Sequence, residues 1–273
     1  MIDLAGKPIA ITGASAGIGR ATAIACARAG MPVAMMARRW DKLVEVQGEI
    51  ESFGGRATVF EGSVDSHEAN AAFVRTAEKA FGPVFAVFAN AGYGFERATL
   101  DTSDEELRQI FETNFWGTLS LVRAAAPGML DRRHGHILIC SSCVSKIGLP
   151  MYGPYSATKA AQDHIGRAMR HEYRDTGVSV STVHPVGTKT EFFDEAKKRS
   201  GGKLDLMGSA PQAALQSPDK VARVIVRRLG VDRGGEIWSS FSMPLLMGVA
   251  AAAPGLADMA LGWMVERRFA RSK

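Results

Sequence analysis

Along the chain, apolar residues fall into short unbroken runs separated by longer stretches where they recur at helical spacing. The runs Pro8 to Thr12, Pro32 to Ala37, Arg56 to Phe60, Val84 to Ala89, His136 to Ser141, Ser179 to His184 and Glu236 to Trp238 are of strand length. Most are nearly all apolar, as strands covered on both faces must be. Between them the period changes. Leu43, Val46, Ile50 and Phe53 line one helical face that stops at Gly54, Ser103 and Glu106 have capping-box spacing, and Ser217 before Pro218 opens a later helix. Strand alternating with helix predicts right-handed crossovers and an α/β fold: a doubly wound, mostly seven-stranded parallel sheet with helices on both faces.

Two segments depart from this alternation. From Gly187 to Ser217 the chain carries Pro and paired Gly and is long for a plain connection, which predicts a substrate loop. From Phe241 to Val265 only Ser242 and Asp258 are clearly polar, close to the ~20 apolar residues of a membrane span. Pro244, Pro254 and Asp258 interrupt that stretch, so two short helices are predicted. With no internal repeat or linker, residues 1–240 read as one domain and 241–273 as its apolar, then basic, helical extension.

Composition narrows the picture. An apolar content of 46% with 33 basic against 28 acidic residues excludes disordered and fibrous classes. Three cysteines are too few for a disulfide framework, and no secretory leader precedes the first strand, so a reducing cytoplasm is expected. The basic excess concentrates at the end, where Glu266 faces Arg267, Arg268, Arg271 and Lys273; Lys197-Lys198-Arg199 is the other cluster. No nucleic-acid partner is expected from so balanced a body.

Thr12-Gly13-Ala14-Ser15-Ala16-Gly17-Ile18-Gly19 follows the first strand and opens a helix. Glycines there let backbone approach a pyrophosphate, and a helix N-terminus receives its charge, so Gly13, Ser15, Ala16, Gly17, Ile18 and Gly19 are predicted to bind a dinucleotide. The second strand ends Ala37-Arg38-Arg39 with no acid for a ribose 2′-hydroxyl. Arginines there suit a 2′-phosphate, which predicts NADP(H) with Arg38 as the main contact and Arg39 beside it; Asp41 is assigned as the next N-cap.

Tyr155 and Lys159 stand four apart, hence on one face of a helix, and an adjacent ammonium stabilises phenolate. The order of these features is more specific than any one. The turn at Gly13, Asn90-Ala91-Gly92 after the fourth strand, Asn114, Ser142 at the end of the fifth strand and Tyr155 with Lys159 together resemble the short-chain dehydrogenase/reductase family, over roughly residues 5 to 240. The resemblance is to its core type, with a single Rossmann-like domain.

That resemblance implies roles. Tyr155 would be the acid or base at a carbonyl or alcohol, Ser142 would orient its oxygen, and Lys159 would lower the phenol pKa and hold the nicotinamide ribose. Asn114 would keep a water beside Lys159 in a proton relay, Asn90 would steady the central sheet, and Thr12 would support the glycine turn. Val64, Ala91, Gly92, Pro185, Val186 and Thr188 would also touch cofactor. The sequence departs from the family pattern at Ala89 in place of Asn, at Ser63-Val64 where an Asp is common, and at Pro185-Val186 in place of Pro-Gly. The helices over Ser103 to Leu130 and Pro154 to Thr176 resemble those that pair subunits, implying a homodimer or homotetramer.

Other features carry less. Cys140 and Cys143 read as packing thiols, and His134, His136, His164 and His171 as surface or interface histidines rather than metal ligands. Phe192, Phe193, Leu204, Leu206 and Met207 incline the loop toward a bulky apolar substrate. The tail reads as a subunit contact, with peripheral membrane contact or a cover over a lipophilic pocket as alternatives. The function expected is NADP(H)-dependent carbonyl reduction or the reverse oxidation. The alternatives are a non-catalytic NADP-binding regulator and a membrane-surface enzyme acting on a lipid carbonyl.

Overall fold

The computed structural model describes residues 2–202, 215–231 and 233–269. Its strands β1 (Ile9–Thr12), β2 (Val33–Ala37), β3 (Ala57–Glu61), β4 (Ala86–Ala89), β5 (Gly135–Cys140), β6 (Val178–His184) and β7 (Gly235–Trp238) form one sheet in the order β3-β2-β1-β4-β5-β6-β7. Every adjacent pair is parallel. Strand order reverses between β1 and β4, and the crevice at that reversal is where such sheets bind ligands.

Side-chain alternation divides two cores between the sheet's faces. Ile9, Ile11, Val33, Met35 and Leu138 point to one face, against α1 (Gly17–Arg28), α2 (Trp40–Ser52) and α8 (Pro218–Leu229). Ala10, Ala34, Met36, Ile137 and Ile139 point to the other, against α3 (His67–Phe81), α5 (Gly117–Asp131) and α6 (Gly153–Glu172). Burial on both faces explains why the strands read as continuous apolar runs.

Capping follows the sequence in two of three places. Ser103 and Glu106 form a reciprocal capping box on α4 (Asp104–Phe111), and the Ser217 hydroxyl accepts from the Lys220 N–H. Asp41 is not an N-cap. Helix α2 begins two residues earlier, at Trp40 with Arg39 at the cap, so Asp41 lies in the first turn and meets the helix dipole instead.

The 187–217 loop contains an unpredicted helix, α7 (Phe192–Arg199), and a bridge between Thr188 and Gln216 closes its base. Leu204, Leu206 and Met207 lie outside the described residues, as do Arg271 and Lys273. The tail forms two helices as predicted, α9 (Met243–Ala252) and α10 (Pro254–Phe269), bent by 108°.

Candidate active site

A cleft of about 540 Å³ opens at the C-terminal ends of the strands, and every predicted site residue except Gly19 and Asn114 lines it. At one end is the glycine turn. Gly13 has φ +65°, and a Cβ there would stand 2.8 Å from the Cα of Ala91. A Cβ on Gly19 would stand 2.3 Å from the Gly13 carbonyl oxygen, so Gly19 shapes the turn from behind. Thr12 ties this turn to β4: its hydroxyl accepts from the N–H groups of Asn90 and Ala91, both at 3.2 Å. The Asn90 carboxamide donates to the carbonyls of Thr12 at 2.9 Å and Gly13 at 3.2 Å. Helix α1 starts without a side-chain cap or a first-turn acid, which leaves its leading N–H groups for an anion. A backbone cradle that a Cβ would fill, at an uncapped helix start, fits a dinucleotide pyrophosphate.

The two arginines after β2 are not equivalent. Arg39 donates to Glu191 at 2.7 Å and to Ser15 at 3.1 Å, joining the glycine turn to the segment before α7. Arg38 lines the cleft with no hydrogen bond or ion pair among the described residues. Sequence reasoning passed over Asp65, one residue past Val64, which also lines the cleft and has a buried Oδ1 without a hydrogen-bond partner.

The reactive end is built on β5 and α6. Ser142 follows β5, and its hydroxyl accepts from the Val144 N–H as the cap of a short 3-10 turn, Cys143–Lys146. Tyr155 and Lys159 project from the first turns of α6, with Lys159 Nζ 5.6 Å from the phenol ring centre. Burial pushes the Tyr155 phenol above its ordinary value, opposed by the Ser142 hydroxyl. The net direction is opposite to the depression expected from Lys159, because burial dominates. The ammonium donates instead to the Cys140 carbonyl and to Gln162 Oε1, both at 2.8 Å, and burial lowers its own pKa.

Asn114 lies behind this centre in a π-type turn, Glu112–Trp116, between α4 and α5. Its side chain brackets the backbone of Tyr93, accepting from the N–H at 3.0 Å and donating to the carbonyl at 2.9 Å. Its own carbonyl accepts from Gln162 Nε2 at 2.6 Å. The Gln162 carboxamide therefore bridges Lys159 and the Asn114 carbonyl.

Beneath Ser142 is a buried ionic cluster that no spacing in the sequence announced. His184, at the end of β6, places Nδ1 3.1 Å from the Ser142 carbonyl; a carbonyl only accepts, so Nδ1 carries the proton. Its Nε2 faces Asp163 Oδ1 at 3.4 Å, and its ring stacks on Trp238. Lys146 reaches Asp163 at 2.6 Å and Glu236 at 2.8 Å. Asp163, His184 and Glu236 converge as metal ligands do, but the Lys146 ammonium already supplies the cation. His136, expected at the surface, is buried beside Ser181 at 2.9 Å, because strand alternation turns it inward. Burial raises the thiol pKa values of Cys140 and Cys143.

A family model described as short chain dehydrogenase matches residues 7–201. The chain belongs to the short-chain dehydrogenase/reductase family of oxidoreductases. It is 30% identical over 245 residues to a fatty acyl-CoA reductase of Mycobacterium tuberculosis, covering 87% of this chain and 83% of that protein. It is 31% identical over 226 residues to glycine betaine reductase ATRR of Emericella nidulans, covering 83% of this chain but 18% of that much longer protein. Among solved structures, a Burkholderia phymatum family member in complex with NAD matches with a TM-score of 0.83 at 23% identity, covering 94% of this chain and 97% of that one. A metagenomic member in complex with NADP matches with a TM-score of 0.73 at 28% identity, covering 86% and 97%.

Proposed function

We propose that the protein is an NADP(H)-dependent reductase of bulky apolar ketones or aldehydes, able to run in reverse on the alcohols. The observation that carries this reading is one cleft holding Ser142, Tyr155 and Lys159 at one end and, at the other, an uncapped glycine turn flanked by Arg38 with no acid at the end of β2. Arg38 takes the 2′-phosphate, and Gly13, Ser15, Ala16, Gly17 and Ile18 take the pyrophosphate. Arg39 contributes by tying Ser15 to Glu191. Val64 and Asp65 face the base; Asn90, Ala91, Gly92, Pro185, Val186 and Thr188 wall the nicotinamide end.

When bound, the nicotinamide supplies or accepts the hydride. Tyr155 Oη gives its proton to the substrate oxygen in reduction. The Ser142 hydroxyl orients that oxygen, and Lys159 holds the ribose while anchored on Cys140 and Gln162. Phe192 packs on the Tyr155 ring at 5.4 Å, and with Leu149 and Tyr152 it gives the substrate end apolar walls. A cytoplasmic location and assembly as a homodimer or homotetramer through α4–α5 and α6 belong to the same reading.

The test is loss of NADPH absorbance over a carbonyl panel graded from small and polar to polycyclic and long-chain. Turnover of the large apolar members is expected, weaker with NADH and reduced by about 100-fold or more in Tyr155→Phe. Undiminished turnover in Tyr155→Phe, or no binding of NADPH, sinks the proposal.

A further inference from the structure

We infer that α9 and α10 dock the protein on an anionic membrane surface and set the substrate end of its cleft against the bilayer. From Met243 to Trp263 the one charged residue is Asp258. Helices so apolar are ordinarily buried. Here Leu245, Leu256 and Met259 are 75%, 63% and 72% exposed, and Phe241 is fully exposed just before them. The two faces of α10 are distinct. Leu261 and Val265, four apart, pack on Val144, Leu149 and Tyr152, whereas Leu256 and Met259, three apart, lie on another face and are largely exposed. Exposed apolar side chains gathered on two successive helices mark an interaction site.

Charge identifies the occupant. The apolar stretch is followed by Trp263 and then by Arg267, Arg268, Arg271 and Lys273, with Glu266 the one acid among them. Apolar side chains, then an indole, then cations is the order of acyl region, headgroup region and anionic phosphates in a bilayer interface. A second copy of the chain would carry the same basic sequence after its apolar stretch, in which Asp258 and Glu266 are the only acids from Met243 to Lys273. No single described helix is long and apolar enough to cross a membrane, and the 108° bend between α9 and α10 suits a pair lying in the interface.

Position gives the docking a consequence. Val144, Leu149 and Tyr152, on which α10 sits, also line the cleft. A carbonyl dissolved in the bilayer reaches the site past α10, so the substrate class is a membrane-resident lipid ketone or aldehyde. That substrate class rests on the reductase proposal; the docking does not.

Flotation of the full chain with vesicles tests it. Wild type is expected to float with phosphatidylcholine vesicles containing phosphatidylglycerol, less with phosphatidylcholine alone, and less as salt rises. The triple variant Leu245→Ser, Leu256→Ser and Met259→Ser changes exposed side chains, so melting temperature and NADPH binding should be kept while the partition coefficient falls about 100-fold or more. Failure of wild type to float with either vesicle overturns the inference, as does flotation of the triple variant at the wild-type level. A triple variant of smaller assembled mass, with wild type left unbound by vesicles, overturns it in favour of a second copy. Flotation without reduction of any soluble ketone upholds docking and removes the reductase reading alone.

Discussion

Replacing Asp163 with Asn tests whether the cluster beneath Ser142 positions that residue. Asp163 is buried on α6 one turn past Lys159. Burial by itself would push its carboxyl up, but His184 facing Oδ1 at 3.4 Å and the Lys146 ammonium on Oδ2 at 2.6 Å outweigh that and hold it well below the usual carboxylate range. Asn keeps the shape, removes the charge that pairs with Lys146, and keeps one oxygen in place of two to accept from it. Removing one member of a buried ion pair costs about 3–5 kcal/mol. Lys146 keeps Glu236 at 2.8 Å, which places the loss near the lower end, about 3 kcal/mol. For a chain of this size that lowers Tm by about 6–12 °C.

The functional cost follows through His184. Its Nδ1–H fixes the Ser142 carbonyl, and without Asp163 the imidazole loses the charged partner at Nε2. Displacement of a positioned group by 1 Å can cost about 100-fold, so a partial shift of Ser142 predicts about a tenfold fall in kcat. Affinity for NADPH should stay within about twofold, because the glycine turn and Arg38 follow β1 and β2, away from the cluster at the ends of β6 and β7. Thermal denaturation and steady-state kinetics measure both. A Tm loss under about 2 °C with kcat unchanged would refute the view that this cluster anchors the site. Equal losses in kcat and NADPH affinity would instead mean general unfolding of the cleft.

Arg38→Ala should weaken NADPH binding about 10- to 100-fold by fluorescence titration and leave NADH unchanged, since its charge meets the 2′-phosphate alone; equal weakening of both would refute the assignment. Gln162→Leu strips Lys159 and the Asn114 carbonyl of their shared partner, for an expected loss of about 2–4 kcal/mol in urea unfolding and a fall in kcat; an unaltered unfolding midpoint and kcat would refute the bridge. Burial, with a smaller contribution from Arg228, pushes the His136 pKa down to about 3. From the unfolded value of 6.5 down to about 3 the unfolded chain binds a proton that the folded chain refuses, so stability is full above that window and falls through it by about 1.4 kcal/mol per pH unit. His136→Asn should flatten that part of the urea-midpoint profile, and an unchanged slope would refute this origin.

Local chemistry explains what could be read in advance. A strand buried on both faces reads as an apolar run, as β1, β2 and β4 do, and all seven were located to within two residues at either end. The glycine turn was legible because strand, glycines and uncapped helix adjoin in sequence, and Tyr155 and Lys159 because helical periodicity alone puts them on one face. The expected cap at Asp41 is two positions late, since its role at a helix start depends on where Arg39 and Trp40 turn, and an acid is favourable at the cap and in the first turn alike. Helix α7 escaped notice for another reason: it has a single buried residue, Ala196, and so no apolar periodicity to read.

The hidden part of the site consists of contacts between distant segments. Lys146 meets Asp163 across 17 residues and Glu236 across 90, and Gln162 joins Asn114 across 48. Each of these residues would be ordinary on a solvated surface, so nothing local marks them. The sheet order creates their chemistry: β5, β6 and β7 end side by side, and α6 lies across that edge. His184 beside Asp163, and Glu236 beside Lys146, are consequences of strand register, Val183 pairing with Ile237 and Cys140 with Val183. A one-residue slip of β6 would turn His184 to the other face and leave the Ser142 carbonyl without its donor. The register that builds the core therefore also positions the candidate acid–base centre, and substitutions in β6 that preserve burial but disturb pairing should act on catalysis before they act on folding.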